Sequence, residues 1–229
     1  MRTATYTLVC ALLISVSAAA QAAAPAAASK PAELRVSDGP IPIRVLAQSP
    51  AETETELQVI CLFRSETSNA LHGSLLEANE KLKGLLDQVR QPSLFRGELG
   101  ETLLIAPPPG SLAAKRVLII GLGDSQSFTP ERMELVGSIF YREAGRLGVG
   151  HPFFAPTVLD GGVGKFPPGE VAEQVARGVL RAVRTERILV QARASRESAI
   201  QDLTFLAGSA HAADTQQGIE KAVAAEAGR

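Results

Sequence analysis

The chain has 229 residues and a formal charge of −1, from 23 Lys and Arg against 24 Asp and Glu, with no Trp and 4% aromatic residues. So balanced a charge offers no basic field to hold a nucleic acid polymer or an anionic membrane surface, and so few rings give no platform for stacking bases. With two cysteines in the whole chain, the disulfide-rich secreted class is excluded as well.

The N-terminus has the pattern of an export signal. Met1 and Arg2 make a short basic start, Leu8 to Val16 an apolar stretch of roughly nine residues, and Ala20-Gln21-Ala22 a small-residue triplet of the kind that signal peptidase cleaves. The stretch falls well short of the about 20 apolar residues that cross a bilayer as a helix. The expectation is a signal peptide over 1–22, a periplasmic or secreted location, no membrane association after cleavage, and a flexible linker over 23–40. Cys10 lies inside the apolar run, so no lipoprotein anchor is expected. Loss of the signal leaves Cys61 without a disulfide partner in its own chain, and within the apolar run Leu57 to Phe63 it reads as a buried small hydrophobe. Roughly 200 remaining residues can bury about 70% of their extended surface, enough for one core. A single domain is therefore placed at 41–229.

In chain order, Lys30 to Ser37 reads as linker and Ile41 to Leu46 as a short apolar segment. Leu57 to Phe63 is the first confident strand, approached through Glu52, Glu54 and Glu56 on a solvated stretch. Leu71, Leu75, Ala78, Leu82, Leu86 and Val89 recur every three or four residues, which predicts a helix from near Asn69 to before Pro92. Gly100 to Ala106 and Arg116 to Ile120 are apolar runs separated by Pro107-Pro108-Pro109-Gly110, which no strand interior tolerates. Thr129 then caps, and Pro130 opens, a helix with Met133, Val136, Phe140, Ala144 and Leu147 on its inner face. Phe153 to Leu159 is a further strand, and Val171, Val175, Leu180 and Val183 mark another helix. Ile188 to Gln191 and Leu203 to Leu206 are short strands, and Asp214 with Gln217 forms a capping box for a last helix at about 214–227. Strands alternating with helices predict an α/β fold whose mixed or largely parallel sheet is covered on both faces.

The residues offer little chemistry. His72, His151 and His211 fall in no HExxH pattern and there are no paired cysteines, so no metal site and no cofactor are expected. There is no Gly-x-Ser-x-Gly elbow. Glu131 with Glu134, and Glu170 with Glu173, face outward from their helices and read as features of solubility and helix dipole. Arg177, Arg181, Arg184, Arg187, Arg193 and Arg196, interspersed with Glu173, Glu186 and Glu197, read as a solvated face and loop. Two glycine loops stand out. Gly121, Gly123 and Asp124 end a strand, but Gln126 occupies the third position of the dinucleotide fingerprint. Gly161, Gly162, Val163, Gly164 and Lys165 follow a strand and precede a helix, so their backbone N–H groups could face an anion. Phe166 after Lys165 rules out a Walker loop, and a tight turn relieved by glycine is the alternative.

Gly100-Glu101-Thr102-Leu103-Leu104, then Ala114 to Gly123 (AKRVLIIGLG) and the helix from Thr129, resemble the N-terminal domain of the leucine aminopeptidase family, as do Leu203 to Gly208 (LTFLAG) and the helix after Asp214. The resemblance implies a three-layer α/β/α sandwich with a mixed sheet, similar to macrodomains. In that family a separate C-terminal domain, with two divalent metals and the signature Asn-Thr-Asp-Ala-Glu-Gly-Arg, does the catalysis. That signature does not occur here, so no catalytic residue carries over. Gly162-Val163-Gly164-Lys165-Phe166-Pro167-Pro168 before Val171-Ala172 is similar to the macrodomain phosphate loop, which implies diphosphate contact by Gly161 to Lys165. It departs from that loop in having Gly164 at the aromatic position, and Phe63-Arg64-Ser65-Glu66-Thr67 stands where macrodomains have Asn-Ala-Ala-Asn. The leading expectation is a non-catalytic module working through a protein partner or self-association. The alternatives are a binder of a small anionic or ADP-ribose-like nucleotide ligand, and a component of a metal-dependent aminopeptidase that needs a separate catalytic chain.

Overall fold

Apolar runs without alternation become strands buried on both faces. Gln58–Leu62 and Val117–Gly121 have no exposed residue and lie side by side in parallel, with Val59 opposite Leu118 and Cys61 opposite Ile120. The computed structural model describes residues 32–36, 39–65, 70–91 and 94–227. The expected signal peptide over 1–22 lies outside the described residues. The described elements are β1 (Glu33–Val36), β2 (Ile43–Ala47), β3 (Gln58–Leu62), α1 (Gly73–Lys81), α2 (Leu85–Val89), β4 (Thr102–Ile105), β5 (Val117–Gly121), α3 (Arg132–Arg146), β6 (Phe153–Ala155), α4 (Pro168–Gln191), β7 (Leu203–Ala207) and α5 (Ala212–Ala227). The sheet order is β1-β2-β7-β6-β3-β5-β4. Its five central strands are parallel, while β1 and β4 close the two edges antiparallel to β2 and β5.

Side-chain alternation along these strands feeds two cores, one on each face of the sheet. Val59, Cys61, Leu118, Ile120, Phe154 and Phe205 pack under α3, α4 and α5, with Phe154 between Phe140 at 4.9 Å and Phe205 at 5.6 Å between ring centroids. Ile60, Leu62, Val117, Ile119 and Leu206 pack under Leu75, Leu82 and Leu86 of the α1–α2 layer. The result is the expected α/β/α sandwich with a mixed sheet. Between α3 and α4 the backbones touch: a Cβ added at Gly178 would stand 1.9 Å from the Glu134 carbonyl oxygen, and the Ser138 hydroxyl donates to the Gly178 carbonyl at 2.9 Å.

Several boundaries differ from the sequence reading, each for a local reason. The stretch expected as linker holds β1, whose Val36 is 6% exposed and pairs with Ile43. A four-residue edge strand needs only two inward side chains, here Leu34 and Val36, too few to show a period. The single helix expected over 71–89 is two helices, broken where Lys83 and Gly84 take φ of 55° and 80°. Buried Asn79 caps the second piece, its Oδ1 accepting the N–H groups of Leu86 at 3.0 Å and Asp87 at 3.3 Å. The expected start near Asn69 lies outside the described residues. The strand expected over Phe153 to Leu159 stops at Ala155, because Pro156 has no N–H to donate and Thr157 turns the chain at φ 50°. Ile188 to Gln191, expected as a strand, is the last turn of α4, with Ile188 61% exposed. The helix expected from Pro130 begins at Arg132, after a turn in which the carbonyls of Thr129 and Pro130 accept the N–H groups of Arg132 at 3.1 Å and Met133 at 2.9 Å.

Candidate ligand cleft

The parallel strands β2, β6 and β7 end together at Ala47, Ala155 and Ala207, and the loops leaving them run to different layers. A crevice opens beyond carboxyl ends arranged in this way, the usual ligand position in open α/β sheets. Here it encloses about 580 Å³, within the range of small-molecule sites. Its lining comes from Gln48 to Pro50 after β2, Pro156 to Asp160 after β6, Phe166, Pro168 and Val171 at the start of α4, Gly208, Ser209, His211 and Thr215 after β7, and Ser74 and Glu77 of α1.

Thr157 shapes the floor. Its hydroxyl donates to the Cys61 carbonyl at 2.7 Å and accepts the Cys61 N–H at 2.9 Å, replacing the ladder partners β6 no longer supplies. A β-branched residue at positive φ is strained and persists only where its surroundings fix it. Beyond it, Asp160 ties the loop to α1. Its carbonyl accepts the His72 N–H at 2.8 Å, and its Oδ2 accepts both the Ser74 N–H at 3.2 Å and the Ser74 hydroxyl. Glu77 accepts the Ser49 hydroxyl at 2.8 Å and pairs with Lys81 at 2.9 Å. The Lys81 hydrogen bond, more than that of Ser49, holds the Glu77 carboxyl below the usual carboxylate range against some opposing burial. Under the floor, burial pushes the Cys61 thiol up, and the side chain has no exposed surface.

The two glycine loops direct N–H groups to carbonyls of the protein itself. In the first, the N–H groups of Gly121, Leu122 and Gly123 donate to the carbonyls of Glu101 at 2.8 Å, Leu62 at 2.9 Å and Gly97 at 2.8 Å. A Cβ at Gly121 would meet the Glu98 carbonyl oxygen at 2.1 Å, so glycine here admits the 97–101 segment. Asp124 accepts the Gln126 N–H at 2.9 Å. In the second loop, the N–H groups of Gly161, Gly162 and Val163 donate to the carbonyls of Thr157 at 3.0 Å, Leu159 at 2.9 Å and Val158 at 3.2 Å. Gly161 fits against the Phe63 ring, Val163 is buried, Gly164 and Lys165 are exposed, and the Lys165 ammonium sits 5.0 Å from the centre of the Phe166 ring. None of these nine glycine-loop residues is among those lining the cleft.

The start of α4 is closed to anions. Pro167 and Pro168 have no N–H, and the Gly169 N–H donates to the Asp214 carboxylate at 2.8 Å. The capping box expected of Asp214 and Gln217 does not open α5, which begins two residues earlier, at Ala212, and so frees the carboxylate for α4. The arginine-rich face is paired as expected of a solvated surface: Arg177 with Glu173 at 2.7 Å, Arg184 with Glu226 at 2.7 Å, and Arg181 with Glu134. Among the described residues no three His, Cys, Asp or Glu side chains are placed to hold a metal ion. None of the described helices is long and apolar enough to cross a membrane. Ser74, Glu77, Asp160, His211 and Thr215 carry no motif, because they meet only through the ends of separate elements.

Residues 59–183 match the model of the cytosol aminopeptidase family, N-terminal domain. A probable cytosol aminopeptidase of Roseiflexus castenholzii is 31% identical over 138 residues, which is 60% of this chain and 24% of that protein. Another, from Thermosynechococcus vestitus, is 25% identical over 136 residues, 57% of this chain and 25% of that protein. The chain thus spans about a quarter of the length of these curated relatives. Among solved structures, a tomato leucine aminopeptidase mutant superposes with a TM-score of 0.58 at 21% identity, over 84% of this chain and 37% of that one. An Oceanobacillus iheyensis macrodomain with MES bound gives 0.59 at 12% identity, over 85% and 99%. A Trypanosoma brucei macrodomain in complex with ADP-ribose gives 0.53 at 16% identity, over 79% and 68%. These likenesses concern the fold. With the family match running from β3 well into α4, more than half of the sequence, the chain belongs to the cytosol aminopeptidase family and carries its macrodomain-like N-terminal domain.

Proposed function

We propose that this chain works as an exported, non-catalytic module of aminopeptidase N-domain type, through contact with a protein partner or a second copy of itself. The observation that carries this reading is the β4 edge. Among the described residues β4 is paired on one side only; Leu104 on it, Leu99 just before it and Leu135, which lies near Gly100, are 43%, 37% and 45% exposed. Leu103 and Ile105 turn toward the α1–α2 core, which leaves Leu104 on the α3 side of the strand. Single exposed leucines are ordinary, but several beside an unpaired strand edge suit association. The paired N–H groups of both glycine loops, and the closed start of α4, weigh against the nucleotide reading. The curated relatives keep open the reading in which the domain assists a separate catalytic chain.

The purified chain, tested with leucine p-nitroanilide in manganese or zinc and titrated with ADP-ribose, is expected to show neither turnover nor saturable heat. Sedimentation should show concentration-dependent association that Leu104→Glu weakens. Metal-dependent turnover by the purified chain alone would falsify the non-catalytic reading. Export has its own check: the protein recovered outside the cytoplasm should begin at Ala23.

A further inference from the structure

The sheet treats its two edges differently. β1 closes one of them with charge: Glu33 and Arg35 are exposed, Arg35 donates to Glu33 at 3.1 Å, and α5 packs close by. Charged side chains on an edge strand guard it against pairing with another chain. β4 has no such guard, since Thr102, Leu103, Leu104, Ile105 and Ala106 carry no charge, and its outer side has no strand partner among the described residues. The ladder fixes which backbone groups that side presents. Thr102 faces Ile120, so Glu101 faces Gly121 in the same register, and the Gly121 N–H donates to the Glu101 carbonyl at 2.8 Å. Antiparallel strands alternate between residues bonded to a neighbour and residues turned away from it. Leu103 and Ile105 are therefore bonded to β5, while the N–H and C=O groups of Thr102, Leu104 and Ala106 point outward. The outward row stops at both ends, because Gly100 turns the chain at φ 84° and Pro107 has no N–H.

We infer that β4 pairs antiparallel with β4 of a second copy of this chain, about a two-fold axis at Leu104, so that one sheet runs through both molecules. The inference rests on the reading of the β4 edge as a contact surface and names its occupant. A strand edge run antiparallel to itself is self-complementary, which is the condition a two-fold interface imposes. Three outward residues with Leu104 in the middle admit one register that uses them all: Leu104 opposite Leu104 of the second copy, and Thr102 opposite its Ala106. Leu104, 43% exposed on the α3 side, is then covered by its own counterpart. The charges agree with this register. Glu101 falls in the row of the second copy's Pro107, and the β4–β5 register continues that row to its Lys115. Glu101 shares its face with Leu103, and Lys115 with Val117, both of which turn to the α1–α2 core. An acid and a base thus stand on one face, two strand spacings or about 10 Å apart between Cα atoms, and symmetry makes the contact twice. The Lys115 side chain is 75% exposed and 3.9 Å from Glu56, which leaves it free to reach the second copy.

The test reads register as well as association. Cysteine variants are made in the full chain carrying Cys10→Ser, where the remaining Cys61 has no exposed surface, and are oxidised with glutathione. Residues bonded across an antiparallel pair have Cα atoms about 5.5 Å apart, within the range of a disulfide. Leu104→Cys should therefore form a covalent dimer by itself. Thr102→Cys, about 14 Å from its own counterpart, should form one only when mixed with Ala106→Cys. Thr102→Pro deletes an outward N–H and no bond to β5, so it should keep the fold and weaken association in sedimentation by roughly tenfold or more. A chain that stays monomeric at every concentration overturns the self-pairing. So does association without the Leu104→Cys cross-link, or with Thr102→Cys joined to itself as readily as to Ala106→Cys; in both of these cases the broader reading of association stands and only this pairing falls. Metal-dependent turnover, by contrast, removes the non-catalytic reading and leaves the cross-links as they are. If Thr102→Pro fails to fold by circular dichroism, the cross-links decide alone.

Discussion

Replacing Asp214 by alanine removes the carboxylate that accepts the Gly169 N–H at 2.8 Å. Gly169 is buried, and the helices cannot part there at little cost. At Gly218 of α5 an added Cβ would stand 1.9 Å from the Gly169 carbonyl oxygen, so the two backbones already touch. The stranded N–H therefore cannot turn to water. A hydrogen bond to a charged group is worth about 1.5–3 kcal/mol, and a carboxylate at a helix N-terminus adds about 0.3–1 kcal/mol. Asp214→Ala should thus cost about 2–3 kcal/mol. For a domain of roughly 200 residues this lowers Tm by about 4–12 °C. Asp214→Asn, which keeps an acceptor oxygen but loses the charge, should cost about 1 kcal/mol. Urea and thermal unfolding followed by circular dichroism measure both, with an unchanged denaturant slope expected. An alanine variant within about 0.5 kcal/mol of the parent would refute the closure of α4 by Asp214.

Gly178→Ala drives a Cβ against the Glu134 carbonyl oxygen and must push α3 from α4; a loss of about 3 kcal/mol or more is expected in urea unfolding, and parental stability would contradict the contact. Thr157→Val leaves the Cys61 N–H and carbonyl without their side-chain partner inside the core, for a loss of about 2–4 kcal/mol, whereas Thr157→Ser keeps the hydroxyl and should lose less. Glu77 has a folded pKa below its unfolded one, so its stabilisation is present above the unfolded value of about 4.3 and disappears as pH falls through the folded value. Glu77→Gln should be less stable than the parent at neutral pH and converge with it in acid; a constant difference down to about pH 2 would contradict the shift. The Cys61 thiol, fully buried with its pKa raised by that burial, should react with an aromatic disulfide reagent no faster than the domain opens, and rapid labelling of the native protein would show a different floor to the cleft.

What the sequence discloses depends on whether burial alone decides the element. Leu57 to Phe63 and Arg116 to Ile120 are legible as strands because β3 and β5 are enclosed on both faces and need no partner residue to be recognised. The same composition misleads at Ile188 to Gln191, where four residues of strand type simply extend α4 past the core, with Ile188 largely in solvent. Periodicity over 71–89 marks the inner face of the helical layer but not its break, which depends on positive φ at Lys83 and Gly84 and on a buried asparagine reaching forward to the next helix. Asp214 is a helix-capping residue, as its type suggests, yet it caps α4, 45 positions upstream. A pattern confined to one segment cannot reveal a bond between two. The cleft is hidden for the same reason, since Ser74, Asp160 and Thr215 belong to α1, the β6–α4 loop and α5.

The fold determines where a crevice opens, and individual side chains determine what can enter it. The macrodomain likeness at 12% identity concerns the first of these: parallel strands ending together beneath a helix start. Glycine after a strand is compatible with an anion site only while the N–H groups of its loop remain available, and the partners found here use those of Gly121 to Gly123 and of Gly161, Gly162 and Val163 within the protein. Two prolines and a carboxylate occupy the start of α4 in the same way. Such partners are chosen by single side chains and local turns that leave the path of the strands intact, so the shape of a crevice does not by itself fix the charge of what it could hold.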